Sequence, residues 1–167
     1  MPDNTHPINS IAISPDERIH RAFSRMTRPW LYANVRRAIF GKEADFLDTG
    51  DFHLIDELYT SGDTRPSNLA TIFGLTAPAI TKRIRHLHSN KVIETYPDPS
   101  DGRATLIRLT PYGVQLAEKI REHTSQAFST ITQTWERSKV EEFASYMEEY
   151  ATSAVELTRS IVEECKP

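Results

Sequence analysis

The chain lacks most of what marks a secreted, membrane-bound or catalytic protein. One cysteine, Cys165, stands among 167 residues, which excludes an internal disulfide, and the carboxylates of Glu163 and Glu164 beside it disfavour the thiolate that a redox switch needs. No run of about 18 apolar residues occurs and no charged-then-apolar leader, so neither a membrane span nor a signal peptide is expected and the cytoplasm is the expected compartment. There is no P-loop, nucleophile elbow or dinucleotide glycine motif, so neither a cofactor nor an enzyme is expected. Six histidines are present, yet His86 and His88 point to different sides of a helix and no Cys/His/Asp cluster has ligand spacing, so no metal site is expected. At this length the chain forms one domain or a small two-lobed unit with a core of its own.

What is present is unevenly spread. The net charge is −3, but residues 1–62 carry 7 basic and 9 acidic groups, residues 63–113 carry 7 and 4, and residues 114–167 carry 6 and 10. The middle third alone is basic. Attraction to phosphate is screened beyond roughly 8–10 Å at working salt, so local charge matters more than the sum.

That basic stretch has the pattern of a winged helix-turn-helix. A first helix fits 65–73, with Pro66 in its first turn, Gly74 as its stop, and Leu69, Ile72 and Phe73 on one inward face. A second begins after Thr76, a capping residue, with Pro78 near its start and Ile80, Ile84 and Leu87 inward. Ala77, Pro78, Thr81, Lys82 and Arg85 are left on the outward face. Small residues there allow close approach to base edges, and Arg85 can reach a guanine or a phosphate. A solvated charged face is the plainer alternative.

After Asn90 the period changes to alternation. Val92–Tyr96 and Thr105–Leu109 read as strands joined through 97–104, with Arg103 at the tip and Asp101 placed to hold its guanidinium. A positioned arginine on a narrow β tip suits the minor groove, whereas a hairpin alone would be an ordinary surface feature. The candidate DNA-facing set is Arg65, Ser67, Thr76, Ala77, Pro78, Thr81, Lys82, Arg85, Asp101 and Arg103.

The run Leu69-Ala70, Gly74-Leu75-Thr76, Leu87, Val92-Ile93, then Asp98-Pro99-Ser100-Asp101-Gly102-Arg103 and Leu109-Thr110-Pro111-Tyr112-Gly113 resembles the MarR family of bacterial transcriptional regulators. The wing motif Asp-Pro-x-Asp-x-Arg followed by Leu-Thr-x-x-Gly carries the resemblance over about a third of the chain. It implies a homodimeric regulator, most often a repressor, that binds double-stranded DNA. It also implies a small aromatic or amphipathic effector between the dimer helices and the DNA lobe; in this chain Phe23, Met26, Trp30 and His53 are the candidates to line such a crevice, with core packing as their ordinary role. Two residues depart from the family pattern. Lys91 stands where a glycine is usual, so Asn90 or Lys91 must take the left-handed turn, and Thr95 stands where an arginine is common.

The rest of the chain frames this lobe. Residues 1–13 read as a loose arm, and Ser14-Pro15-Asp16-Glu17 opens a helix over 14–47 that Pro29 should kink or break. A helix over Asp51–Ser61, with Phe52, Ile55, Leu58 and Tyr59 inward, begins the 48–113 lobe. A helix capped by Thr110 carries Tyr112, Leu116, Ile120, Phe128, Ile131 and Trp135 as one apolar stripe into 114–167; a second helix, capped by Ser138, carries Phe143, Met147, Tyr150, Ala154, Leu157 and Ile161. The expected fold is mainly α with a small β-hairpin wing and N- and C-terminal dimerisation helices. A homodimer would bury both stripes and present two recognition helices about 34 Å apart to a pseudo-palindromic site. The alternative packing is a helical hairpin that completes a monomer. Alternative functions are a nonspecific architectural DNA binder or a winged-helix protein-interaction module.

Overall fold

The computed structural model describes residues 13–27, 37, 40–42 and 45–164. Their elements follow the order α1 (Pro15–Thr27), α2 (Thr49–Ser61), α3 (Pro66–Phe73), α4 (Ala77–Ser89), β1 (Ile93–Asp98), β2 (Asp101–Leu109), α5 (Pro111–Thr132) and α6 (Arg137–Glu164). The chain divides into two units, 1–49 and 50–167. No helix among the described residues is long and apolar enough to cross a membrane.

In the first unit Ser14 caps α1, its hydroxyl oxygen accepting the Glu17 N–H at 3.3 Å. Ile19, Phe23 and Met26 are exposed along one side. The expected kink at Pro29 lies outside the described residues. Gly41 takes a left-handed φ of +78°, and its N–H donates to the Arg37 carbonyl at 3.0 Å.

In the second unit α2 begins two residues earlier than the pattern suggested. Its buried residues include Leu54, Ile55 and Leu58, so Leu54 belongs to the core and was missed, while Tyr59 is exposed and lies beneath Arg121, the guanidinium 5.3 Å from the ring centroid. In α3 only Leu69 is buried, and Ile72, expected inward, is 53% exposed. A helix of 8 residues makes little more than two turns and here shelters a single position fully. Ile80 and Leu87 of α4 are buried and Ile84 is half-buried. With Val92, Ile93, Ile107, Leu116, Ala117 and Ile120 these residues make the core, each large side chain contributing about 1.5–3 kcal/mol by leaving water.

Capping fixes where the helices start and stop. Thr76 caps α4 by accepting the Ala79 N–H at 3.4 Å, and Gly74 closes α3 in the left-handed region at φ 60°. At the end of α4 the left-handed residue is Lys91, with φ 60°. Its N–H donates to His88 at 2.9 Å and the Val92 N–H to Leu87 at 3.0 Å, a Schellman closure in which lysine occupies the place usually given to glycine.

The wing is longer than the expected strands. β1 and β2 pair antiparallel from Ile93↔Leu109 to Pro97↔Thr105, then step to Asp98↔Asp101. Gly102, Arg103 and Ala104 therefore bulge from the ladder beside the tip. Thr64 adds a short third edge through N–H and carbonyl bonds to Ile107 of 3.1 and 2.8 Å.

A crowded junction ties the wing to α5. The Val92 carbonyl accepts from the Thr110 N–H at 3.0 Å, and the Thr110 side chain donates to the Lys91 carbonyl at 2.6 Å while accepting the Gly113 N–H at 3.0 Å. A Cβ on Gly113 would stand 2.0 Å from the Val92 oxygen, so only glycine lets the first turn of α5 come this close. Beyond Ile120 the α5 stripe emerges into solvent at Phe128 and Ile131, and α6 exposes Phe143, Met147, Tyr150, Leu157 and Ile161. Ser138 is not the cap of α6. The helix starts at Arg137, and the Glu136 carbonyl receives the Lys139 and Val140 N–H groups.

Two substitutions test these backbone constraints by urea denaturation. Gly113→Ala forces a clash with main chain and should cost at least about 1–3 kcal/mol. Lys91→Gly removes a left-handed conformation worth roughly 1–2 kcal/mol, offset in part by the added freedom of the unfolded chain, and should stabilise by up to about 1 kcal/mol; an unchanged midpoint would show that Lys91 is not strained.

Candidate nucleic-acid interface

The outward side of α4 is built by what its inward side requires. With Ile80 and Leu87 buried, the helical period leaves Ala77, Pro78, Thr81, Lys82 and Arg85 exposed in one band. The Thr81 hydroxyl donates to the Ala77 carbonyl at 2.7 Å, which leaves its oxygen as an acceptor. Ser67 of α3 and the capping residue Thr76 are exposed as well.

Most arginines near this surface are already engaged. Arg65 sends Nε and Nη2 to Asp98 Oδ2 at 3.0 and 2.6 Å and lies 3.6 Å from Asp101 Oδ2. Arg108 bonds Glu94 across the strands at 2.6 Å and covers the Tyr96 ring at 4.7 Å; the Tyr96 hydroxyl donates to Asp63. Arg83 turns away from the outward band to Asp51, at 2.6 Å. Lys82, Arg85 and Arg103 have no carboxylate partner among the described residues.

The wing tip is held by a different pair from the one expected. Asp101 does not grip the Arg103 guanidinium; its Oδ1 accepts the Arg103 backbone N–H at 3.2 Å and its other oxygen faces Arg65. The bulge turns the two side chains apart, so alternation along an ideal strand misleads. Asp98, only 7% exposed, is the centre of the turn. Its Oδ1 accepts the Ser100 hydroxyl at 2.6 Å and the Ser100 N–H at 2.8 Å, and Oδ2 takes Arg65. These bonds, those from the Ser100 hydroxyl and N–H first and Arg65 next, hold the Asp98 carboxyl down to about 2.

The matching sequence region coincides with this geometry. Residues 47–105, which run from before α2 to the middle of β2, match the MarR family. The fold agrees: the FabT protein of Streptococcus pneumoniae, crystallised in complex with DNA, superposes with a TM-score of 0.72 at 15% identity, over 85% of this chain and 99% of that one. The likeness to the MarR family covers the helix pair and the start of the wing. Among curated relatives, the uncharacterized HTH-type transcriptional regulator YxaD of Bacillus subtilis is 25% identical over 118 residues, 68% of this chain and 82% of its own length. The HTH-type transcriptional repressor IacR of Pseudomonas putida is 29% identical over 82 residues, 49% of each chain. These relatives are transcriptional regulators and not enzymes.

The remaining candidates belong to different elements. Phe23 and Met26 are exposed on α1 of the first unit, His53 is exposed on α2, and Trp30 lies outside the described residues. Sequence reasoning missed Asp51, and it placed Asp98 in the wing motif without the role it has in fixing this lobe. Each pairs with an arginine more than 30 positions away, 32 and 33 respectively, and a local pattern carries no such signal.

Because the folded Asp98 carboxyl sits below its ordinary value of 3.8, its stabilising contribution is complete above about pH 4 and is lost as pH falls towards about 2. Asp98→Asn should therefore lower the urea midpoint at pH 7, and the gap from the parent should close between pH 4 and 2. A gap independent of pH would mean that the ionised carboxylate is not what holds the wing.

Proposed function

We propose that this chain is a cytoplasmic, homodimeric, sequence-specific DNA-binding repressor that recognises a pseudo-palindromic duplex. The observation that carries the reading is the division of charge in the lobe: Arg65, Arg83 and Arg108 are each held by a carboxylate, while Lys82 and Arg85 on α4 and Arg103 on the wing are exposed without one. Cations left unpaired on a helix and a neighbouring hairpin fit a polyanion with a groove on either side of one phosphate strand. In this reading α4 enters the major groove and Arg103 the minor groove. The other members of the surface, Ser67, Thr76, Ala77, Pro78 and Thr81, supply close approach and hydroxyls, and Arg65 and Asp101 set the wing instead of touching bases.

Dimerisation is supported by the apolar side chains that α5 and α6 leave exposed from Phe128 to Ile161. A stripe of this extent is stable in water when another surface covers it, and a second copy about a two-fold axis does so symmetrically. The relative YxaD, most of whose length is matched, and the repressor IacR support regulation of transcription. An aromatic or amphipathic effector completes the reading, with Phe23, Met26, Trp30 and His53 as its candidate contacts; a preference of about 1.4 kcal/mol for one spacing of the recognition helices changes DNA affinity tenfold.

Titration of a selected duplex with purified variants tests the reading. Arg85→Ala should cost about 1–3 kcal/mol and relax preference at one base pair per half-site, and Arg103→Ala should weaken binding with fold and dimer intact. Met147→Glu should convert the dimer to monomer in sedimentation and abolish high-affinity binding. Equal affinity for all duplexes would make the protein an architectural binder, and no DNA binding at any salt would make the lobe a protein-interaction module.

A further inference from the structure

Asp51 is a buried charge that DNA contact does not require. It lies in the first turn of α2 and is 2% exposed. One carboxylate oxygen accepts from Arg83 Nη1 at 2.6 Å and the other stands 3.6 Å from His86 Nε2. Arg83 and His86 are three apart on α4 and so occupy one flank of it, between the buried row of Ile80 and Leu87 and the outward row of Lys82 and Arg85. The two rows differ in what they can fix. Apolar burial is not directional and tolerates a small turn of the helix about its axis, whereas a short charged hydrogen bond to a sheltered carboxylate does not.

The neighbouring residue is shaped for the same contact. A Cβ on Gly50 would stand 2.5, 2.6 and 2.9 Å from Nη2, Cζ and Nη1 of Arg83. Gly50 is the second residue of α2, where alanine would form helix better by about 1 kcal/mol. The glycine leaves the space in which the guanidinium crosses α2 to reach Asp51.

We propose that Asp51 and Arg83 are a positioning pair that sets the rotation of α4 about its own axis, with Gly50 as the gap that admits it. The pair thereby sets how well Lys82 and Arg85 discriminate among bases, while general attraction to DNA is left to the exposed cations. The proposal rests on the DNA-binding reading above. With about 100° between successive residues, a small rotation carries both side chains off their base edges and still leaves them beside phosphate.

Gly50→Ala perturbs the pair without removing a charge, because the added Cβ obliges the end of the Arg83 side chain to shift. Gly50→Ala, Asp51→Asn and Arg83→Gln are titrated at several salt concentrations against the duplex that the parent selects from a random pool and against a scrambled duplex. Amide hydrogen exchange of the free proteins is measured in parallel, and far-ultraviolet circular dichroism checks the fold. The expected result is a loss of about tenfold or more in the ratio of selected to scrambled affinity, with scrambled affinity and salt slope close to the parent's, and faster exchange in α4 than in α3. Should Asp51→Asn fail to fold, Gly50→Ala still decides, since a merely stabilising pair would lower melting temperature without changing the ratio. A parental ratio in Gly50→Ala and Arg83→Gln overturns the positioning role. A salt slope reduced by about one phosphate contact in Arg83→Gln, with all duplexes weakened alike, overturns it by making Arg83 a phosphate ligand. A parent that prefers no duplex removes the DNA-binding reading itself, and unchanged α4 exchange in Gly50→Ala then removes the clamp as well.

Discussion

The Asp98 carboxylate is the constraint on which the geometry of the lobe depends. A carboxylate sheltered from water is unfavourable unless it is paired and hydrogen-bonded, and here its two oxygens divide the work. One closes the turn of the wing on Ser100 and the other holds Arg65 at the entrance of α3. The hairpin is thus fastened to the helix pair at its tip through Arg65, at its edge through Thr64 and at its base through Thr110. Two strands alone are marginally stable in water. Fixed at three points, they form a ridge tied to the helices around it.

Pairing also decides which cations remain for a partner. Residues 63–113 carry 7 basic groups, but a basic stretch is not yet a basic surface. Glu94, Asp98 and Asp51 occupy three of its arginines, and the remainder collect on the outward side of α4, at the Lys91 turn and at the wing bulge. An acidic chain can therefore present a local positive field. Phosphate responds to charges within a Debye length, so the −4 balance of 114–167 opposes binding only weakly if those helices stand farther away.

Local rules made much of this legible in the sequence. Thr76 and Thr110 cap the helices they were expected to cap, Gly74 stops α3, and the choice left open between Asn90 and Lys91 falls on Lys91. Each of these depends on neighbours within about five positions. What escaped depends on distant ones. Alternation in an ideal strand paired Asp101 with Arg103, but the step in register after Pro97 separates them, and Arg65 takes the carboxylate side instead. Periodicity named Ile72 and Tyr59 as inward because it identifies an apolar face without saying what covers it. The role of Arg83 escaped because its partner lies on another helix.

On the proposed reading, the cations of α4 and the wing that have no carboxylate partner among the described residues, presented twice by a dimer, read a defined duplex. Selection of binding sites from a random duplex pool at near-physiological salt tests this most directly. The account predicts enrichment of an inverted repeat whose half-sites lie about ten base pairs apart, one helical turn, centre to centre. Enrichment of no sequence from a pool that the protein nonetheless retains, or of a single unrepeated site, would contradict it.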